Sequence, residues 1–564
     1  MTVSQPSLLL PTRASYRPAE PVGIEVRHLS APARLSLYRL GDLVSEVEVS
    51  QAGVIELGPL AAGGYSVELR AGGVLARTAV EVVAESRSVL RYGFVVDYRP
   101  GRDLKAVQDN LRRLHLTGVQ FYDWAYRHAD LLGGGERYDD ALGQPVSLDT
   151  VRELIEVCHQ VGADALGYAA VYAVGPQEWP KWEHDALLTA SGQSYALGDF
   201  LFVLDPAAPD WLDHFTGDLA EATDQVGFDG FHLDQYGYPK RAHRPDGTLV
   251  DVASSFVSMI AGVRQALPQS RLVFNNVNDF PTWASASAPQ DAVYIEVWPP
   301  HVGYEHLAQV VTRARHEAAG KPVVIAAYQH VYDRVTSAEI TVEAADTATG
   351  LTMATLFTHG ASHLLCGEAD RILVDPYYVR NHQVADSTAD LLHRWYDFAV
   401  AHGELLFDPE LTEVTGSFAG SYNDDVDISY AGTPVESLAV PGTVWRRVIA
   451  AGQRYLVHLI NLTGQSDTCW DSARQQPGDP GPGQLRIRRM GSALPRVRYA
   501  DPDVQDRLIE LPVRVDGDYL CVQLPAPQLW QLIVIEPAAV KPTTAGPAGR
   551  DVLVPEPPTP SIDS

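Results

Sequence analysis

From the start of the chain to about Val89, apolar and polar residues alternate in short runs such as "VGIEVRHLS", "ARLSLYRLG" and "YSVELRAGG", broken by Gly and Pro every ten residues or so. Alternation of period two between turn residues predicts strands with one buried face, here a small β-sandwich over residues 1–89. From Tyr92 the pattern changes to short continuous apolar runs followed by helical periodicity, as in "LKAVQDNLRRLHLTG" and "TVRELIEVCHQVGA". Eight strand cores stand out: "YGFVVDY", "GVQFYDW", "DALGYAAVY", "GFDGFHLDQ", "RLVFNNVN", "AVYIEVW", "PVVIAAY" and "GASHLLCGE". Strands alternating with helices predict a (β/α)8 TIM barrel over residues 90–402; a doubly wound sheet is the other arrangement of such elements, but no Gly-rich phosphate turn follows any strand. After about His402 alternation resumes in "RYLVHLINLT", "LPRVRYADP" and "DYLCVQLPAP", which predicts a second β-domain over residues 403–537. The Pro-, Thr- and Ala-rich stretch 538–564 has no periodic apolar face and reads as a disordered tail.

Several predicted strands end on polar residues, where a core strand should stay apolar. In a (β/α)8 barrel the groups that do chemistry project from the C-terminal strand ends. The period of two places Gly230, His232 and Asp234 on one face of the fourth strand and Tyr294, Glu296 and Trp298 on one face of the sixth. Asp234 and Glu296 are 62 residues apart, and a βα unit of such a barrel takes about 31 residues. They therefore lie two strands apart, close enough for their carboxylates to converge. Two carboxylates in a cleft lined by Trp, Tyr and His are the requirement of glycoside hydrolysis, in which one protonates the leaving oxygen and the other attacks the anomeric carbon or activates water. A strand-end carboxylate also serves commonly as a loop acceptor or helix N-cap, so the pair carries more weight than either residue.

Composition narrows the remaining choices. The 564 residues, 46% of them hydrophobic, suffice for two or three domains with substantial cores. A formal charge of -28 repels nucleic acid, and no basic run with interleaved aromatics offsets it. No stretch is long and apolar enough to cross a bilayer, so no membrane partner is expected. The N-terminus lacks the features of a signal peptide; as written the chain is expected in the cytoplasm, although one whose signal had been removed would read the same way. Cys158, Cys366, Cys469 and Cys521 show no paired spacing and read as buried apolar fillers. No metal-ligand spacing such as H-x-H or H-E-x-x-H occurs, so neither metal nor cofactor is expected.

The runs "TGVQFYDWAYRHADLL", "DALGYAAVYAVG", "FDGFHLDQYG", "VYIEVWP", "HGASHLLCGE" and "RWYDFAVAHGELL", in this order, resemble glycoside hydrolase family 66, the dextranases and cycloisomaltooligosaccharide glucanotransferases. The likeness is firmest from Tyr92 to Phe407. It implies Asp234 as nucleophile and Glu296, within the Y-x-E-x-W pattern, as acid/base of a retaining mechanism on α-1,6-glucan. It also implies an N-terminal immunoglobulin-like domain and a C-terminal Greek-key domain. The glucanotransferases of the family carry an inserted carbohydrate-binding module, for which the barrel here leaves no gap, so hydrolysis of dextran or isomaltooligosaccharides is favoured over transglycosylation. A binding-only role would keep the aromatics but has no need of both carboxylates.

Further candidates for holding a sugar are Asp97 and Tyr98 after the first strand, Tyr122, Asp123 and His128 after the second, and Tyr172 after the third. Gln235, Asn275, Trp298, His363 and Glu368 follow at the ends of later strands, with Asn276 beside Asn275. A neutral polyhydroxyl ligand needs many such acceptors around one pocket, although Asp97 and Asp123 also suit helix caps, and His363 and His232 also suit satisfied core histidines. Trp179 and Trp182, in the longest interval between strands, fit a sugar-stacking lid or a clamp that holds a long loop down.

Overall fold

The computed structural model describes residues 8–537 except 30, 72–73 and 86–87; the predicted tail at 538–564 lies outside the described residues. Each of the eight apolar runs forms a strand: Tyr92–Val95, Gly118–Phe121, Asp164–Ala170, Gly230–Asp234, Arg271–Val277, Ala292–Glu296, Val323–Ala326 and Ala361–His363. They pair in parallel in sequence order. Two residues beyond the eighth strand, Cys366–Gly367 pairs with the first, Gly367 opposite Phe94, so the large sheet curls into a closed ring. Closure depends on a missing side chain, because a Cβ on Gly367 would stand 2.1 Å from the Phe94 carbonyl oxygen.

Helices cover the outside of the ring. Leu104–Arg113 begins under Asp103, whose carboxylate accepts from the Ala106 N–H, an N-cap of ordinary kind. Pro209–Val226 starts on Pro and stops at Gly227 with φ 99°, the usual asymmetry of helix ends. Between the fifth and sixth strands the helix shrinks to Thr282–Ser285. Val342–His359 behaves differently: every residue from Ala345 to His359 is buried. Its threonines return their hydroxyls to the helix, Thr347 to the Glu343 carbonyl, Thr352 to Ala348 and Thr355 to Leu351, which lets polar residues sit on a helix enclosed on all sides.

The N-terminal segment forms two antiparallel sheets, one of three strands and one of four, which share a core of Leu9, Val22, Ile24, Leu35, Leu37, Val67 and Val80. The C-terminal segment also forms two sheets, antiparallel except for the short strand Val435–Glu436, which pairs in parallel with Val444–Ala451. Between them lies a core containing Val444, Val457, Leu485, Val497, Val522 and Ile533. The outer face of the larger C-terminal sheet contributes Trp445, Leu456, Ile460, Trp530 and Leu532 to the same apolar cluster as the ring and its helices. All four cysteines are free, Cys158 and Cys366 buried but Cys469 and Cys521 only half-buried, so the last two are not core fillers.

Candidate active site

The alternation of the ring strands decides what lies at its mouth. His232 is stacked at 5.8 Å from Tyr92 and meets Tyr294 edge-on at 4.7 Å inside the ring, while Phe231 and Leu233 face the helices and are fully buried. One step of two beyond His232 brings Asp234 to the end of the strand, opposite Ala170 of the third. On the sixth strand the same step from Tyr294 brings Glu296 to the mouth, opposite Val277. Both carboxylates line a cavity of about 300 Å³ at this end of the ring.

Asn275, on the fifth strand between them, joins the two. Its Nδ2 donates to Asp234 Oδ1 at 2.7 Å and to Glu296 Oε2 at 3.1 Å. Two acceptors on one amide nitrogen stand about 5 Å apart when each takes one hydrogen, and under about 6 Å in any arrangement. The other Asp234 oxygen accepts from the Tyr168 hydroxyl at 2.7 Å. Burial pushes Asp234 upward from its ordinary pKa, opposed by the donors Asn275 and Tyr168 and the backbone at Gln235. Glu296 is pushed up to about 7, first by burial and next by the negative charge of Asp234. Each carboxyl is pushed up by burial and opposed by its donors, and Glu296, which also faces the negative charge of Asp234, holds its proton near neutrality, as an acid beside a nucleophile must.

Around the pair the cavity is walled by tyrosines. Tyr122 stacks on Tyr378 at 4.2 Å and leans on Tyr168 at 5.2 Å. The Tyr294 and Tyr378 hydroxyls lie 3.4 Å apart, and Trp298 sits 5.9 Å from Tyr328. Burial raises the pKa of each of these hydroxyls, so they face the cavity as neutral donors and acceptors suited to an uncharged polyol. Asp123 also lines the cavity, in a left-handed backbone conformation with φ 45°. Burial, then the charges of Asp140 and Asp234, raise its pKa well above the usual range. A non-glycine residue held there stores strain of the kind found at ligand sites. Burial lowers His128 to about 4, keeping it neutral.

Of the candidates read from sequence, Asp234, Glu296, Tyr122, Asp123, His128, Gln235, Asn275 and Trp298 line this one cavity, with His232 at its floor. Gln235 spends its side chain on the scaffold, donating to the Asn275 and Phe280 carbonyls. Six expected sugar ligands are elsewhere. Asp97, Tyr98 and Glu368 line a separate polar cavity, because the chain turns away after the first strand: Asp97 is bound by the Arg99 guanidinium, and Glu368 by Arg102 and the Asp97 N–H. Tyr98 is itself buried, its hydroxyl on the Val95 and Tyr122 carbonyls. Tyr172 lies past the end of its strand and is stacked on Tyr236, its hydroxyl donating to the Tyr238 carbonyl. His363 is a buried core histidine contacting the Ala327 carbonyl at 2.9 Å. Asn276 faces the helices, where it donates to the Tyr294 carbonyl and accepts from Ser285.

Of the two readings of Trp179 and Trp182, lid or clamp, the packing fits the clamp. Trp182 is buried edge-on against Trp211 at 5.2 Å, and Trp179 stacks on Phe202 at 4.4 Å. They clamp the loop, while Leu197, Phe200 and Leu201 of the same loop reach the cavity. Sequence reading missed Gln120, Tyr168, Tyr236, Tyr328, Tyr377 and Tyr378. Tyr168 was findable: it pairs with His232, so counting back by two from the level of Asp234 selects it, not Tyr172. Tyr377 and Tyr378 come from an irregular segment with no periodicity to mark them. Among the described residues no cluster of three or more His, Cys, Asp or Glu has the form of a metal site, and no helix is long and apolar enough to cross a membrane.

The chain has relatives among known proteins. A cycloisomaltooligosaccharide glucanotransferase of Niallia circulans is 26% identical over 300 residues, covering 48% of this chain and 31% of that protein. A dextranase of Streptococcus salivarius is 24% identical over 408 residues, covering 63% of this chain and 49% of its own; the matches thus span less than half of those relatives. The crystal structure of a Paenibacillus sp. cycloisomaltooligosaccharide glucanotransferase complexed with cycloisomaltoheptaose superposes with a TM-score of 0.83 at 18% identity, over 93% of this chain and 99% of that one, which establishes the fold. The model of glycosyl hydrolase family 66 matches residues 14–534, and the chain belongs to that family.

Proposed function

We propose that the protein is a retaining glycoside hydrolase that cleaves α-1,6-glucosidic bonds in dextran or isomaltooligosaccharides, with Asp234 as nucleophile and Glu296 as general acid/base. On this reading the closed ring is a (β/α)8 barrel, the N-terminal sheets are an immunoglobulin-like sandwich, and the C-terminal sheets are a Greek-key domain. The observation that carries the proposal is the single Asn275 nitrogen within hydrogen-bond reach of both carboxylates. Retaining enzymes hold their carboxyl groups about 5–5.5 Å apart and inverting ones about 6.5–9.5 Å, leaving room for a water. A shared donor supports the shorter spacing. Asp234, ionised, attacks the anomeric carbon from the β face while Glu296 delivers its proton to the departing oxygen. Glu296, now a carboxylate, then draws a proton from the water that opens the β-linked glucosyl-enzyme from the α face. Neutral tyrosine hydroxyls and the uncharged His128 suit a sugar without charge, and the family relationship supports glucan as that sugar.

The proposal is tested by the products formed from dextran, isomaltooligosaccharides, pullulan and starch, with the anomeric configuration followed by proton NMR. Release of isomaltooligosaccharides as α-anomers, with starch largely untouched, is the expected result; first-formed β-anomers would refute retention, and inertness towards every α-1,6-linked glucan would refute the substrate. A second reading is supported by the two glucanotransferases of Niallia circulans among the relatives: a sugar hydroxyl replaces water in the second step. The same product profile separates the readings, since transfer yields cyclic or lengthened glucans that grow with donor concentration.

A further inference from the structure

Asn275 was expected to bind sugar, yet its amide nitrogen is occupied by the two carboxylates. Its Oδ1 is buried with no hydrogen-bond partner, a loss a folded protein rarely accepts without a compensating role. The reverse orientation of the amide would satisfy neither carboxylate and would set an oxygen against two others, so the carboxylates dictate which end of Asn275 faces them. The backbone beneath is equally constrained, the Asn275 carbonyl accepting from Gln235 Nε2 at 3.1 Å. Tyr168, by contrast, reaches Asp234 alone.

We propose that Asn275 is a positioning residue, a clamp whose two amide hydrogens fix the planes and separation of Asp234 and Glu296 and supply the main donor that keeps Asp234 ionised. The inference rests on the reading of those carboxylates as the working pair. The other titratable groups facing the pair are Asp123 and His128 after the second strand, His232 on the fourth, and the hydroxyls of Tyr122, Tyr168, Tyr236, Tyr294, Tyr328 and Tyr378. Burial pushes Asp123 well above the usual carboxylate range, His128 and His232 are held neutral, and the hydroxyls are pushed above their usual range. Burial raises both carboxyls and neutral donors oppose it, and Asn275 is the one donor common to both.

The clamp has a signature that a purely structural asparagine would lack. Removing a donor to a carboxylate raises its pKa. Asn275→Ala should therefore move both limbs of the bell-shaped pH profile of kcat/KM to higher pH, the acid limb by about one pH unit, a tenfold change in ionised fraction. Tyr168→Phe should move the acid limb alone. Carbon-13 NMR titration of the two carboxyl groups without substrate should give the same pattern, and it decides the matter independently of activity. If the protein cleaved no α-1,6-glucan, the proposed function would fall, and the titration would still test the clamp. Should Asn275→Ala fail to fold, Asn275→Asp keeps the volume and withdraws the donor once ionised, and both carboxyl titrations should again rise. Titrations unchanged in the Asn275 variants, or a rise confined to one carboxyl, would overturn the proposal.

Discussion

On the proposed reading, Glu296 illustrates how a single side chain trades stability for chemistry. Its carboxyl is buried and its pKa raised to about 7, whereas an unfolded chain leaves it near the ordinary value of about 4.3. Between those values the native state binds more protons than the unfolded state, so stability falls as pH rises. The contribution is fully present below about pH 4.3 and lost as pH passes through about 7, a difference of roughly 4 kcal/mol. Glu296→Gln removes the charge that costs this energy. The variant, inactive on glucan, should have a higher Tm than the wild type near pH 8 and an equal one near pH 4 by scanning calorimetry. A Tm difference independent of pH would mean that the carboxyl ionises as easily folded as unfolded. This is the stability cost expected where a buried acid is kept for function.

At the scale of elements, the ring strands were the most legible feature, because strands buried on both faces read as continuous apolar runs that end where solvent and ligand begin. The carboxylates at the mouth followed from the same alternation. What periodicity could not carry was the break in the eighth strand at Leu364 and Leu365, the shrunken helix at Thr282–Ser285, and the loops that wall the cavity. The loop after the third strand shows why. Its tryptophans were the conspicuous residues, yet large apolar side chains on a long loop gain most by anchoring it, and Trp182 is buried while Phe200 is 44% exposed at the cavity. The two should separate in experiment. Phe200→Ala is expected to raise KM for long glucans severalfold and leave kcat nearly unchanged, the mark of lost uniform binding. Trp182→Ala should lower stability by about 3–5 kcal/mol. Steady-state kinetics on dextran and short isomaltooligosaccharides, with thermal melts, check both; a KM effect from Trp182→Ala at full stability would restore it as a lid.

At the scale of the molecule, the sequence marks three textures of patterning and the packing forms a core for each, but the core of the ring extends onto the C-terminal sheet. The β-rich N-terminal segment encloses its own core and meets the C-terminal sheets through ion pairs, Arg496 and Arg498 with Asp42, and Arg507 with Glu68. The C-terminal sheet is joined to the ring far more intimately. Trp530 is fully buried, edge-on to Phe398 at 4.9 Å and 5.6 Å from Trp395, both on the helix Asp386–Ala401 that follows the last ring strand. The Trp395 indole in turn donates to Asp503 of the C-terminal segment at 3.0 Å. Alternation in sequence shows that a strand has an apolar face without showing what covers it, and here the two apolar faces of one sheet are covered by different partners. A core shared in this way couples the two parts in unfolding. Trp530→Ala should cost about 3–5 kcal/mol, and the loss should appear in the transition that abolishes activity, with the ring and the C-terminal sheets melting together. Calorimetry alongside residual activity is the measurement. A separate low-temperature transition that left activity intact would mean that the ring is stable without the sheet packed against it.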